Sequence, residues 1–142
     1  MIVVIDTNVF ISAAGSRAGI SWRCFVLLAK RRFQLAVTME MLREYEEVAE
    51  RLSRNPVKHH GVKWRPLFHW VHDKAADFEP APVGKQRSRD AADDIFLACA
   101  LASGAQMIVS HDRDLLALRK PFGVEIVKPA LFVARFKSIK SA

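Results

Sequence analysis

A chain of 142 residues with 51% hydrophobic residues is long enough to bury one core and too apolar to be a disordered tail. Twenty-two Lys and Arg against fifteen Asp and Glu leave a formal charge of +7, which favours a polyanionic partner such as nucleic acid, although many ordinary proteins are simply basic. Two cysteines, Cys24 and Cys99, each inside an apolar run, exclude a disulfide scaffold and point to buried free thiols.

Met1-Ile-Val-Val-Ile5 is apolar but meets Asp6 at once, with no positive segment before it. No run approaches the roughly 20 apolar residues of a membrane span, so a cytoplasmic protein without membrane association is expected. The β-branched run Ile2–Ile5 reads as a strand buried on both faces, as in a parallel sheet. From Ser21 to Arg32 the apolar residues at 22, 25, 26, 28 and 29 follow a helical period, which closes on Lys30-Arg31-Arg32. Leu35-Ala-Val37 is a second strand. Thr38 can cap a helix over 39–53 that carries Leu42, Tyr45, Val48, Ala49 and Leu52 on one face.

Residues 55–66 are basic and irregular. A helix is expected over about 65–77, and Glu79-Pro-Ala-Pro-Val-Gly84 is loop by composition. Asp90 is placed to cap a helix running to about 103, which Gly104 ends. Met107-Ile-Val109 is a strand, followed at Asp112 by a short helix to Leu118. Val124-Glu-Ile-Val127 is the last strand, and Pro129 opens a final helix. Strands alternating with helices predict one α/β domain over 1–142, an α/β/α sandwich around a mostly parallel sheet of four to five strands.

The carboxylates are placed unevenly on this frame. In a parallel sheet all strand C-terminal ends lie on one edge, where ligands bind. Asp6 and Asp112 follow two such strands, and Glu44 lies far enough into its helix to point back to the same edge. Asp90, Asp93 and Asp94 open a helix after a connection, so their place is less determined. Asp is also a favoured helix cap, and Glu44 sits among Glu40, Glu46, Glu47 and Glu50 on an acidic face; Asp6, at the end of a buried strand, has the weakest purely structural explanation. Two unit charges about 4 Å apart repel by roughly 4 kcal/mol at an effective dielectric of 20. A close cluster therefore calls for a cation, for partial protonation, or for more distance than the pattern suggests. Oxygen-only ligation selects Mg²⁺ or Mn²⁺, ions that activate water and clamp phosphoryl oxygens.

Val3-Val-Ile-Asp6-Thr-Asn8-Val-Phe-Ile resembles the opening of PIN-domain nucleases, and Glu44 within Met39-Glu-Met-Leu-Arg-Glu44-Tyr resembles their second acidic motif. Arg89-Asp90-Ala-Ala-Asp93-Asp94-Ile-Phe-Leu-Ala resembles the third, and Val109-Ser110-His-Asp112-Arg-Asp114-Leu-Leu the fourth. The four stand in family order and cover nearly the whole chain. The resemblance implies a Mg²⁺- or Mn²⁺-dependent endoribonuclease, often the VapC-type toxin of a toxin–antitoxin pair. Asp6, Glu44, Asp93 and Asp112 would be its acidic quartet, holding metal and acting in catalysis, with Asp90 and Asp114 either supporting these ligands or binding the metal only occasionally. Asn8 and Ser110 would support them by hydrogen bonding. Ser110 stands where Thr is commoner, keeping the hydroxyl. His111 stands where a small residue is common, and it crowds or enriches the site.

Lys85, Arg87 and Arg89 lead into the acidic helix and are the candidate RNA phosphate contacts. His69 and His72, with Asp73 beside them, share a helical spacing, but no Cys or third His completes a metal site. Trp64 and Trp70 flank basic residues and are candidates for packing first and for base stacking second. Trp22, Phe25 and Val26 are expected in the core or, from the resemblance, at a homodimer or antitoxin interface. Three other readings compete: a nucleic-acid-binding module of the same fold without catalysis, an RNA-processing nuclease that is not a toxin, and a phosphoryl-transfer enzyme using Asp6 covalently. Asn8 counts against the last, because the Asp-x-Asp pattern is absent.

Overall fold

The computed structural model describes residues 1–55, 63–82 and 94–141, with side chains to 137. Five strands form one sheet in the order β3-β2-β1-β4-β5, every adjacent pair parallel. The strands are β1 (Ile2–Ile5), β2 (Gln34–Val37), β3 (Ala76–Asp77), β4 (Met107–Val109) and β5 (Glu125–Val127). The helices are α1 (Thr7–Gly15), α2 (Ile20–Ala29), α3 (Met39–Ser53), α4 (Arg65–Lys74), α5 (Asp94–Ser103), α6 (Arg113–Leu116) and α7 (Pro129–Ser141). The α/β/α sandwich with a parallel sheet is the expected architecture, at the upper end of the expected strand number.

β1, β2 and β4 are short and almost wholly apolar because helices cover them; Val3, Val4, Ile5, Leu35, Ala36, Val37, Ile108 and Val109 have no accessible surface. α5 packs on β1, β2 and β4 and is apolar nearly all round, with Phe96, Leu97, Ala98, Cys99 and Ala100 buried. Gly104, at φ 73°, supplies the left-handed residue that ends it, and Ala105 N–H returns to the Ala100 carbonyl at 3.0 Å. α3 runs over the predicted residues and is capped as predicted: Thr38 Oγ1 accepts the Met41 N–H at 3.2 Å. Cys24 and Cys99 are buried free thiols, pushed up to about 12 by desolvation. No helix of the described residues is long and apolar enough to cross a membrane.

Three local differences from the sequence reading have physical causes. Asp6 leads directly into α1, a helix the sequence reading did not name; its Val9, Phe10 and Ala13 are buried and its composition lacks a polar stripe to mark the period. The helix expected over 65–77 stops at Lys74, because Ala76 and Asp77 pair with Ala36 and Val37 and become β3. α2 begins at Ile20, one residue before the expected Ser21.

α1 also provides the aromatic hub. Phe10 stacks on Tyr45 with ring centroids 4.8 Å apart, and meets Phe25 and Phe68 edge-on at 6.4 and 6.3 Å. Phe25, expected in the core or at an interface, is in the core. Trp64 is buried, whereas Trp70 keeps part of its surface.

Candidate functional site

The parallel order carries the chain past the C-terminal edge of the sheet at each strand end. Asp6 N–H donates to the Val109 carbonyl at 2.9 Å and Ser110 N–H to the Val127 carbonyl at 2.9 Å. The ladder thus fixes the backbone of both residues beyond the last paired positions, Ile5 with Val109 and Val109 with Val127. Asp6 is the N-cap residue of α1, yet its carboxylate makes no capping bond into the helix. It remains available to the edge.

Ser110 joins the two central aspartates. Its buried hydroxyl donates to Asp6 Oδ2 at 2.6 Å and accepts the Asp112 N–H at 2.9 Å. One hydroxyl has one proton and two lone pairs, so the same side chain orients the β1 carboxylate and the chain that carries the β4 one. Asp112 is a cap as well: its Oδ1 accepts the Asp114 N–H at 2.8 Å and so starts α6. That bond occupies one carboxylate oxygen, so capping and a place at the edge coexist.

Glu44 reaches the edge from α3. The Thr7 hydroxyl donates to Glu44 Oε2, at the first residue of α1. The neighbouring Tyr45 is fully buried and donates its phenol to the Ile5 carbonyl at the end of β1. Successive helix residues are turned about 100° from each other. Tyr45 therefore anchors the inner side of α3 to β1 while Glu44 lies alongside Asp6. Glu40, Glu46 and Glu47 remain exposed, as a solvated acidic face should; Glu44 is drawn in.

The electrostatics agree with this convergence. The Asp6 carboxyl is raised to about 6, first by desolvation and further by the charges of Asp112 and Glu44. Hydrogen bonds from Ser110 and from the Thr7 backbone offset only part of the rise. Neither the causes of this shift nor the described ion pairs include a cation beside Asp6.

Thr7, Ser21 and Tyr45 are contributors that sequence reading missed. Thr7 was hidden inside the Asp-Thr-Asn motif, Tyr45 read only as a core residue, and nothing local marks Ser21 as the partner of a histidine ninety residues away. Asn8, expected as a support, is exposed on α1 and makes no side-chain hydrogen bond among the described residues. His69, His72 and Asp73 are exposed, with both rings against Phe68. Asp114 lies in the first turn of α6.

Asp90, Asp93, Lys85, Arg87 and Arg89, and most of the basic stretch 55–66, lie outside the described residues. Among the described residues no three His, Cys, Asp or Glu side chains form a group that holds a metal. The donor chemistry at the edge nevertheless fits a hard divalent cation. Asp6, Asp112 and Glu44 supply oxygen alone, from three segments, and the most buried of them is held anionic only at a cost that a cation would remove.

A family model described as PIN domain matches residues 2–114, a stretch that includes Asp6, Glu44, Asp93, Asp112 and the other carboxylates proposed for the site. No curated protein matches the chain.

Proposed function

The chain belongs to the PIN domain family, a family of nuclease fold and commonly metal-dependent, and we propose that it is an endoribonuclease using Mg²⁺ or Mn²⁺ to hydrolyse RNA phosphodiester bonds. The observation that supports this most directly is the Asp6 carboxyl, buried at the strand edge, coupled to Asp112 through Ser110 and faced by Glu44, with no positive partner among the described residues. Asp6, Glu44, Asp93 and Asp112 would hold the cation, with Asp90 and Asp114 as additional ligands. A divalent ion held there supplies a water of lowered pKa and neutralises charge on the phosphoryl oxygens.

The chain's own residues do the positioning. Ser110 fixes the Asp6 carboxylate and the turn into Asp112. Thr7 fixes Glu44, and Tyr45 holds α3 against β1. Asn8, exposed on the first turn of α1, would be open to substrate. Lys85, Arg87 and Arg89 contact the RNA backbone, consistent with a net charge of +7 on a protein whose site is acidic.

The test is cleavage of a labelled single-stranded RNA in Mg²⁺ or Mn²⁺. Wild-type protein should cut, Asp6→Asn should not, and EDTA should abolish the activity; undiminished cutting by the variant or in EDTA overturns the reading. Salt-dependent RNA binding without cleavage in either metal would instead establish a binding module.

The finer proposal is that the nuclease is a VapC-type toxin, acting in the cytoplasm and restrained by an antitoxin protein, and able to form a homodimer. A groove of about 430 Å³ supports a protein partner: Trp22, Phe25, Val26, Leu67 and Trp70 line it, and Arg17 and Lys63 are its charged lining residues. An antitoxin segment with apolar and acidic side chains suits such a wall. Growth arrest on expression, relieved by the product of the adjacent gene, is the expected behaviour; unimpaired growth counts against the toxin role and leaves the nuclease chemistry standing.

A further inference from the structure

His111 lies between Ser110 and Asp112, at the point where β4 reaches the acidic edge. Its backbone is constrained from both sides. Ser110 is tied to β5 by its N–H and to Asp6 by its hydroxyl, while Asp112 N–H is tied to Ser110 Oγ. The residue itself is exposed, yet its ring is held in place: Nε2 lies 3.1 Å from Ser21 Oγ on α2. Ser21 is 3% accessible, so its hydroxyl proton needs an acceptor, and Nε2 is the one within reach. With Nε2 accepting, the neutral ring carries its proton on Nδ1.

The result is an exposed imidazole of fixed orientation, one residue from Asp112 and one from the Ser110 that holds Asp6, with a donor that meets no described partner. A residue that served only to clamp α2 to β4 would have no use for exposure. A carboxylate cluster alone, by contrast, repels the phosphates of the strand it must receive, and an N–H donor beside it offsets that repulsion without adding another ligand.

We propose that His111 is an RNA-binding residue: its Nδ1–H donates to a phosphate oxygen of the strand adjoining the cleaved bond, and Ser21 is the positioning residue that aims it. The inference rests on the ribonuclease reading.

Two readouts on the full chain test it: steady-state cleavage of a single-stranded RNA in Mn²⁺, and binding of a fluorescein-labelled RNA of the same sequence in EDTA, where no cutting interferes. A hydrogen bond to a charged acceptor predicts that His111→Ala weakens binding and raises KM about tenfold, with kcat changed less than about twofold. Ser21→Ala should lose about threefold by freeing the ring, since the bond survives at lower occupancy. The double variant should be no weaker than His111→Ala, because Ser21 acts through the ring. His111→Asn, which keeps an N–H donor, should recover part of the loss in binding, and any drop in the thermal midpoint of His111→Ala should be relieved in the double variant, which also removes the Ser21 hydroxyl left without its acceptor.

Unchanged RNA binding and KM in His111→Ala, or losses that multiply in the double variant, would overturn the proposal. So would a drop in thermal midpoint with binding intact, the signature of a clamp. If wild-type protein cuts RNA and His111→Ala cuts it with the same KM, only this inference falls; if wild-type protein neither binds nor cuts RNA, the ribonuclease reading falls with it.

Discussion

Two carboxylates of the same sheet have opposite fates. Glu125, at the start of β5, is half-exposed and receives both arms of the Arg135 guanidinium, at 2.5 and 2.7 Å. That bidentate pair holds its carboxyl below the ordinary glutamate range. Asp6, at the end of β1, is buried, receives a hydroxyl and a backbone N–H, and faces two more carboxylates; its carboxyl is pushed up to about 6. Where the sheet needs only to be stable, an acid is given a cation from α7. At the C-terminal edge the acid is buried with none among the described residues. Electrostatic cost retained at one place and removed at another is the pattern of a site built to receive a charge.

The largest way to break this contrast is chemical. Asp6→Asn keeps the shape and an acceptor for Ser110 but removes the charge, and RNA cleavage should fall by about a thousandfold or more, roughly 4 kcal/mol of barrier. A single-turnover assay in Mn²⁺ reads it, and activity within tenfold of wild type would remove Asp6 from the site.

The same substitution should act in the opposite direction on stability. The folded carboxyl titrates near 6 and the unfolded one near 3.8, so the folded state binds the proton more tightly and stability falls as pH rises from about 4 to about 6. In chelator at pH 7, Asp6→Asn should therefore be more stable than wild type by up to about 3 kcal/mol. The gap should vanish near pH 4. Millimolar Mg²⁺ should narrow it by stabilising wild type alone. Urea midpoints for the two proteins at three pH values, with and without Mg²⁺, supply the measurement; a gap independent of pH would show that Asp6 carries no burial penalty.

Tyr45→Phe sharpens the comparison from the neutral side. It leaves the Ile5 carbonyl, at the foot of the acidic edge, without its phenol donor. The loss should be about 1–3 kcal/mol of folding free energy, with a lowered kcat as Glu44 loses its register. Glu125→Gln should have the smallest effect, about 1 kcal/mol or less and diminishing with salt, because its pair with Arg135 is open to solvent. A larger effect at Glu125 than at Tyr45, in parallel thermal melts, would invert the contrast.

Much was legible in the chain because it depended on local chemistry. The β-branched run at Ile2–Ile5, the Thr38 cap, the left-handed Gly104 and the Asp112 cap are short-range devices whose physics is complete within a few residues. α1 and β3 were not legible. The first is apolar on too many sides to show a period, and the second is two residues long and exists only because β2 offers it an edge.

The sequence by itself determined that strands and helices alternate, that the sheet is parallel, and hence that Asp6 and Asp112 leave it on one side, since parallel strands share an edge. It also determined which residue types stand there. The tertiary structure alone decided that β1 and β4 are neighbours, so that one hydroxyl, Ser110, reaches from one aspartate to the other. It decided that Tyr45 and Thr7 draw Glu44 in from an acidic helix face, and that Ser21, ninety residues before His111, meets its ring. Those contacts act over a few ångströms between segments far apart in the chain, and no local pattern encodes a partner at that separation.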